Sequence, residues 1–405
     1  QLNGVVRVGE GNTTTVETDD DVQALMSAGA TLTVRPGVQV KGFPDSALLV
    51  TRGSMLMAEG TATNPITFSS IDEDFNGPAE WGGVLLQGFA TQFGAGNTGP
   101  CYGTEGGTTC NVIGEGGDFV GLYGGNVDDD NSGTVRYVRI AESGFVAGPD
   151  SEIQGLTLYG VGHGTQLEYI HIHDSTDDGV EWFGGTVNLR YAVFTGNDDD
   201  DIDFDEGYRG NIQFAIVQKS QVRSDPGNND PRGIEANSSD ADFVPETEAV
   251  LSNITIMGSA INNGEGAQPG TRLRGAVNTQ LWNSAVTMYD RACVRIDDAD
   301  VNEDGSTIEP STVALANFLA DCEGGLYDSS SRGPADVEVN LQEVALALDE
   351  NFAITNPEAQ LGAPTDIVAV DNGSGFEFEQ TDYIGAVDPN GSNWWITWIL
   401  EDTLQ

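Results

Sequence analysis

A short repeat in the middle of the chain limits the fold more than any other feature. Residues 165–185 read TQLEYIHIHDSTDDGVEWFGG, and residues 186–210 read TVNLRYAVFTGNDDDDIDFDEGYRG. A third unit opens at Asn211 with NIQFAIVQKS and later reaches PRGIEANSS. The starts are 21 and 25 residues apart (186 − 165 and 211 − 186). Each unit holds two short strands of alternating character with a polar turn between them. Leu167, Tyr169, Val187, Leu189, Ile212 and Phe214 take equivalent places in the first strand. Val180, Trp182, Ile202, Phe204 and Ile234 do so in the second. Such a unit cannot bury an apolar face alone, so successive units must stack. No helical period of ten or more residues runs through this region, which argues against βαβ and leucine-rich arrays. Flanking pieces extend the pattern: GTVRYVRI at 133–140, GLTLYG at 155–160, VLSNITIMG at 250–258 and ACVRI at 292–296. Gly, Asn and Asp supply corners that need positive φ. The predicted fold is all-β, a right-handed parallel β-helix.

Two stretches break the coil pattern. STVALANFLADC at 311–322 and EVNLQEVALALDENF at 338–352 space their apolar residues near 3.6 and predict short helices. The expected division is a β-helix with its N-terminal cap over 1–296. An acidic insert, short helices and a Trp-rich cap follow over 297–405. The opening segment NGVVRVGEGNTTTVET is β-rich and offers no amphipathic helix as a plug.

Charge narrows the setting. Asp and Glu number 64 against 16 Lys and Arg, a net charge of −48, and only Lys41 and Lys219 are lysines. This surface repels phosphate backbones and anionic headgroups, so neither nucleic-acid binding nor membrane association is expected. No apolar run reaches the ~18 residues of a membrane helix. Four cysteines fall into two local pairs, Cys101 with Cys110 and Cys293 with Cys322, and predict two disulfides in an oxidising compartment. The chain begins at Gln1, not Met. Together these features predict a processed, secreted protein of the extracellular space or cell surface.

The run TLTVRPGVQVKG, ALLVTRGSMLMAEGTATNPITFSS and WGGVLLQGFA resembles the opening coils of secreted bacterial surface proteins of the pectate-lyase-like β-helix type. The resemblance continues through residues 128–144, 152–188 and 198–215, and returns in TDYIGAVDP at 381–389. It implies a β-helix in an extracellular setting and carries no established activity.

Acidic runs are the strongest chemical signal. Asp128, Asp129 and Asp130 share one turn, and Asp177 and Asp178 another. Asp198, Asp199, Asp200 and Asp201 lead into Asp203, Asp205 and Glu206. Aligned second strands put Glu181, Asp203 and Glu235 at one outward position of successive coils, only ~4.8 Å apart. Carboxylates stacked so closely repel unless a cation bridges them or their pKa values rise. Calcium takes 6–8 hard oxygen ligands, so it is the expected ion, with Asp177, Asp178, Asp199, Asp201, Asp203 and Asp205 as candidate ligands. A second calcium loop is expected where Asp298, Asp300, Asn302 and Asp304 precede Gly305 in an EF-hand-like order. Ser311 stands where that loop requires its bidentate acid. His171 and His173 share a strand face but lack a third ligand and read as polar ladder residues.

Two functions remain open. A lyase of the pectate type would combine calcium with an Arg or Lys base, and Arg190 and Arg209 lie near the acidic coils. Trp81, Trp182 and Tyr208 are candidate sugar platforms. No complete catalytic signature stands in the sequence, so the leading expectation is a non-catalytic, calcium-stabilised structural block. Trp394, Trp395 and Trp398 would then join one copy to the next, head to tail. The alternatives are a polysaccharide-active enzyme or a glycan-binding adhesin.

Overall fold

The computed structural model describes residues 1–72, 75, 77–93, 111–148, 151–221, 230–238, 243–259, 267–297, 310–356, 361–362 and 367–404. Two long parallel sheets wind around one apolar core. A nine-stranded front sheet takes one short strand from each coil, from Val5–Val8 through Ala47–Val50, Val84–Gln87, Leu156–Tyr159, Val180–Phe183, Ile202–Asp205, Ile234–Asn237 and Thr271–Arg274 to Val294–Ile296. A back sheet of longer strands runs from Thr31–Val34 to Val337–Glu343. This is a parallel β-helix.

The register refines the repeat. Leu167 pairs with Leu189 and Leu189 with Ile212, so the coils advance by 22 and 23 residues (189 − 167 and 212 − 189). Val187 lies outside this ladder. Val180, Ile202 and Ile234 form a second inward ladder, as expected. Alternation along each strand sends these side chains into one continuous core, where they are buried.

One residue per coil bends the back sheet. Tyr137, Tyr169, Tyr191 and Phe214 have φ between 50° and 64°, and Asn253, Asn283, Asn317 and Asn340 have φ between 48° and 59°. Asn tolerates this left-handed conformation better than an aromatic residue does. Both kinds also stack. The rings of Tyr137, Tyr169, Tyr191 and Phe214 follow one another at 4.2, 4.6 and 4.9 Å between centroids. Asn317 Nδ2 donates to Asn283 Oδ1 at 2.9 Å, and Asn340 Nδ2 to Asn317 Oδ1 at 3.0 Å.

That bend corrects the reading of 311–322 and 338–352 as helices. Both regions contain back-sheet strands, Thr312–Asp321 and Val337–Glu343. Val313 and Leu315 point inward; left-handed Asn317 then shifts the alternation by one, and Phe318 and Ala320 point inward after it. The resulting spacing of 2, 3 and 2 imitates a helical period. The coils therefore continue beyond residue 296. At the other end a helix, Asp19–Ala28, does exist. Thr18 and Asp21 close a capping box on it, and Val22 packs with Val16 and Phe89.

After Glu343 the chain runs back over the outer face of the back sheet. Ile354 and Ile384 cover Ala285 and Leu319; Val370 and Phe378 cover Val250; Trp395 and Trp398 cover Val193, Ile216 and Met257. Backbone groups dock as well: Glu379 N–H donates to Gln213 Oε1 at 2.9 Å, and Leu400 N–H to His171 Nδ1 at 3.2 Å. Trp398 is fully buried, edge-on to Tyr137 and Tyr169, and Trp394 meets Tyr191 the same way. The tryptophans expected to join copies are thus packed within their own chain. Cys293 and Cys322 form the expected disulfide, with Cα atoms 5.5 Å apart. Cys101 and Cys110 lie outside the described residues, as do Asp298, Asp300, Asn302 and Asp304.

Candidate functional site on the front sheet

The outward positions of the front sheet form two rows. The first runs Thr157, Glu181, Asp203, Glu235, Arg272, Arg295. In the second, Tyr159 pairs with Phe183 and Phe183 with Asp205, while Asn237 pairs with Arg274 further along. Acids therefore occupy the middle coils and arginines the later ones. The turns entering these strands add Asp177, Asp178, Asp199 and Asp200. Gly179 N–H donates to Asp200 C=O at 2.8 Å and Asp200 N–H to Asp178 Oδ1 at 2.9 Å, which keeps the turns in register.

Stacking then brings the carboxyls together. Oxygens of Asp177, Asp178 and Asp199 lie within 4.8 Å of one another; so do those of Asp178, Glu181 and Asp203, and those of Asp200, Asp203 and Glu235. Burial, reinforced by the neighbouring carboxylates, pushes Asp177, Asp178, Glu181 and Asp203 well above the usual carboxylate range. Burial also raises Asp200, against the pull of Arg232. Asp177, Asp199 and Asp203 keep part of their surface exposed, so the cluster opens to solvent. Asp203 Oδ1 has no hydrogen-bond partner among the described residues.

Three guanidinium groups border the acids. Buried Arg232 reaches Asp200 and Glu235, each at 3.2 Å, and Asp230 at 2.5 Å. Arg272 and Arg274 reach Glu235 at 3.4 and 3.0 Å. Calcium fits the donor set, which is all oxygen, irregular and without His or Cys. Asp178, Glu181 and Asp203 are the residues that would hold it.

The other expected site residues are placed differently. Asp201 turns away from the cluster, taking the Lys219 ammonium at 2.7 Å and Asn197 Nδ2 at 2.8 Å, and is withdrawn as a ligand. Asp205 stands in the second row, where it accepts from Asn237 Nδ2 at 3.2 Å. Arg190 and Arg209 are not at the acids. Arg190 lies over the Phe376 ring on the back sheet, and Arg209 pairs with Asp128 at 2.8 Å. Trp81, Trp182 and Tyr208 are buried and offer no sugar platform. His171 shares Thr195 Oγ1 with His173 and receives the Leu400 N–H, as befits a ladder residue. Asp200 stood in the acidic run but not among the candidate ligands, and Arg232, Arg272 and Arg274 escaped the sequence reading. TRLRG at 271–275, aligned one coil beyond IEAN, carries the signal for the last two.

Two long parallel sheets wound coil by coil place the chain in the class of parallel β-helices. Residues 2–355 match the Pectate-lyase like beta helix domain, and the chain belongs to that family. Solved structures with some likeness include the catalytic unit of a GH87 alpha-1,3-glucanase from Streptomyces thermodiastaticus strain HF3-3. It is 11% identical, with 84% of this chain and 70% of that chain covered and a TM-score of 0.19. Another is the Family 28 exopolygalacturonase of Yersinia enterocolitica, 11% identical, covering 84% and 78% at a TM-score of 0.18. Among curated proteins none matches. Family membership over nearly the whole chain overturns the expectation of a non-catalytic structural block. Among the described residues, no helix is long and apolar enough to cross a membrane.

Proposed function

We propose that this chain is a polysaccharide-active enzyme, acting outside the cell, with the front-sheet acids as its catalytic groups. The observation that carries the reading is the stack of Asp200, Asp203 and Glu235, with oxygens within 4.8 Å of one another and arginine ion pairs on Asp200 and Glu235. Glycosidic cleavage needs one carboxyl that still holds a proton and a second that acts at the sugar carbon. Burial and repulsion from Glu235 suit Asp203 to the first role. Glu235, ringed by Arg232, Arg272 and Arg274, suits the second. The disulfide between Cys293 and Cys322 supports an oxidising, extracellular setting.

A second reading has its own observation. Asp178, Glu181 and Asp203 make a three-carboxylate cradle beside Arg272 and Arg274, the parts of a calcium-assisted elimination. One assay separates the two. The protein is incubated with pectate and with neutral glucans, with calcium or with chelator. New reducing ends without ultraviolet-absorbing unsaturated ends indicate hydrolysis; unsaturated ends that require calcium indicate elimination. Equal cleavage by wild type and Asp203→Asn would remove both readings.

A further inference from the structure

A second group of carboxylates lies away from the front-sheet acids. Asp72 and Glu80 belong to the loop that follows the back-sheet strand Ile66–Ser70, and Glu142 follows Gly133–Ala141. One oxygen from each lies within 4.8 Å of the other two. Acidic clusters on loops are usually solvated; Glu142 is not. It is 0% exposed. Its N–H donates to His173 C=O at 2.9 Å, and its own C=O accepts from Glu80 N–H at 3.0 Å. One carboxylate oxygen accepts the Ser70 N–H at 3.1 Å. The other, Oε1, has no hydrogen-bond partner among the described residues. The nearby Lys41 ammonium does not pair with it, being bound to Ser69 Oγ at 3.0 Å and Asp72 C=O at 2.7 Å.

A buried carboxylate oxygen beside two more carboxylates is unfavourable unless a proton or a cation satisfies it. We infer that Asp72, Glu80 and Glu142 bind a divalent cation, with calcium the fitting ion, at a structural site separate from the front-sheet acids. Three carboxylates from two loops give irregular, all-oxygen coordination. Calcium accepts that geometry, whereas magnesium demands a tight octahedron and zinc prefers nitrogen and sulfur. The ion would tie the loop before Val84–Gln87 to the coil beside it. Trp81 already makes part of that connection, its Nε1 donating to Ala141 C=O at 2.7 Å, one residue before Glu142. The rival state is a protonated Glu142, since burial pushes this carboxyl up to about 7 and Glu80 and Asp72 reinforce the rise.

The test is native mass spectrometry of the full chain in graded free calcium at pH 8. Glu142→Gln and Asp72→Asn should each hold one ion fewer than wild type. The same decrement should appear when either change is made in an Asp203→Asn background, because the two sites are separate. Asp72 is exposed, so its substitution does not endanger folding and carries the test if Glu142→Gln misfolds. An ion count in Asp72→Asn equal to that of wild type overturns the inference and leaves Glu142 as a buried protonated acid.

Discussion

Replacing Asp203 by Asn should make the protein both less active and more stable, a combination expected of a functional acid and not of a structural one. Asp203 shares a 4.8 Å neighbourhood with Glu235 and Asp200. Two unit charges at that distance repel by about 3.5 kcal/mol at an effective dielectric of ~20. Arg274 opposes this for Asp203, so roughly 1–2 kcal/mol of net strain remains once the site ionises. The sign follows from proton linkage. The folded state holds the Asp203 proton to higher pH than the unfolded chain does. Stability is therefore greatest below the unfolded value near 3.8 and falls as pH rises toward the elevated folded value. The amide of the Asp203→Asn variant cannot ionise, so that slope disappears. In chelator, urea midpoints should rise for the variant at pH 8 and approach those of wild type near pH 4. Chelator matters because a bound cation would screen the same repulsion. Polysaccharide cleavage should fall by about 10²–10⁴-fold, the usual contribution of a general acid. A variant that is less stable than wild type at pH 8, or that cleaves at the wild-type rate, refutes the argument.

Other expectations concern the scaffold. Asn317→Ala should destabilise by about 4 kcal/mol in urea unfolding, since it strips the bonds to Asn283, Asn340 and Gly362 N–H and leaves Ala left-handed; Asn317→Gly should lose about 1 kcal/mol less. Trp398→Ala should cost about 3–5 kcal/mol, read as a lower denaturation midpoint at unchanged particle mass in light scattering, because the ring is buried within its own chain. Replacing Cys293 and Cys322 by Ser should cost about 3–4 kcal/mol from the 29-residue loop they close, visible in the same unfolding assay.

The parts of this architecture that the sequence discloses are those that repeat. Glu181, Asp203 and Glu235 could be stacked from text alone because Val180, Ile202 and Ile234 mark the same inward position beside them. Misreadings arose where a single residue changes the period. Asn317 turns an alternating strand into an apparent helix, and the register places Val187 off the ladder of Leu189. The pairing of Arg232 with Asp200 was hidden for another reason. Each acts through contacts with neighbouring coils, 32 residues apart in sequence, and charge composition gives no hint of which acid an arginine will meet. Asp201 shows the converse: one residue along the same turn, it faces Lys219 and leaves the cluster. The tryptophans misled because an aromatic run near a terminus looks like a surface, while its partners, Tyr137, Tyr169 and Tyr191, are scattered over the preceding coils.

The returning C-terminal chain changes how the whole stack melts. A solenoid held only by adjacent coils behaves as a one-dimensional array, free to fray from either end one unit at a time. Here residues after Glu343 touch side chains from Val193 to Leu319, and Leu400 reaches His171. Coils that never meet are thereby coupled through a common covering strand of polypeptide. Detaching the final coils exposes the covering segment, and detaching the covering segment bares Ile216, Val250 and Ala285 together. Partial unfolding thus gains little entropy for the apolar surface it uncovers, and the array is driven toward a single cooperative transition.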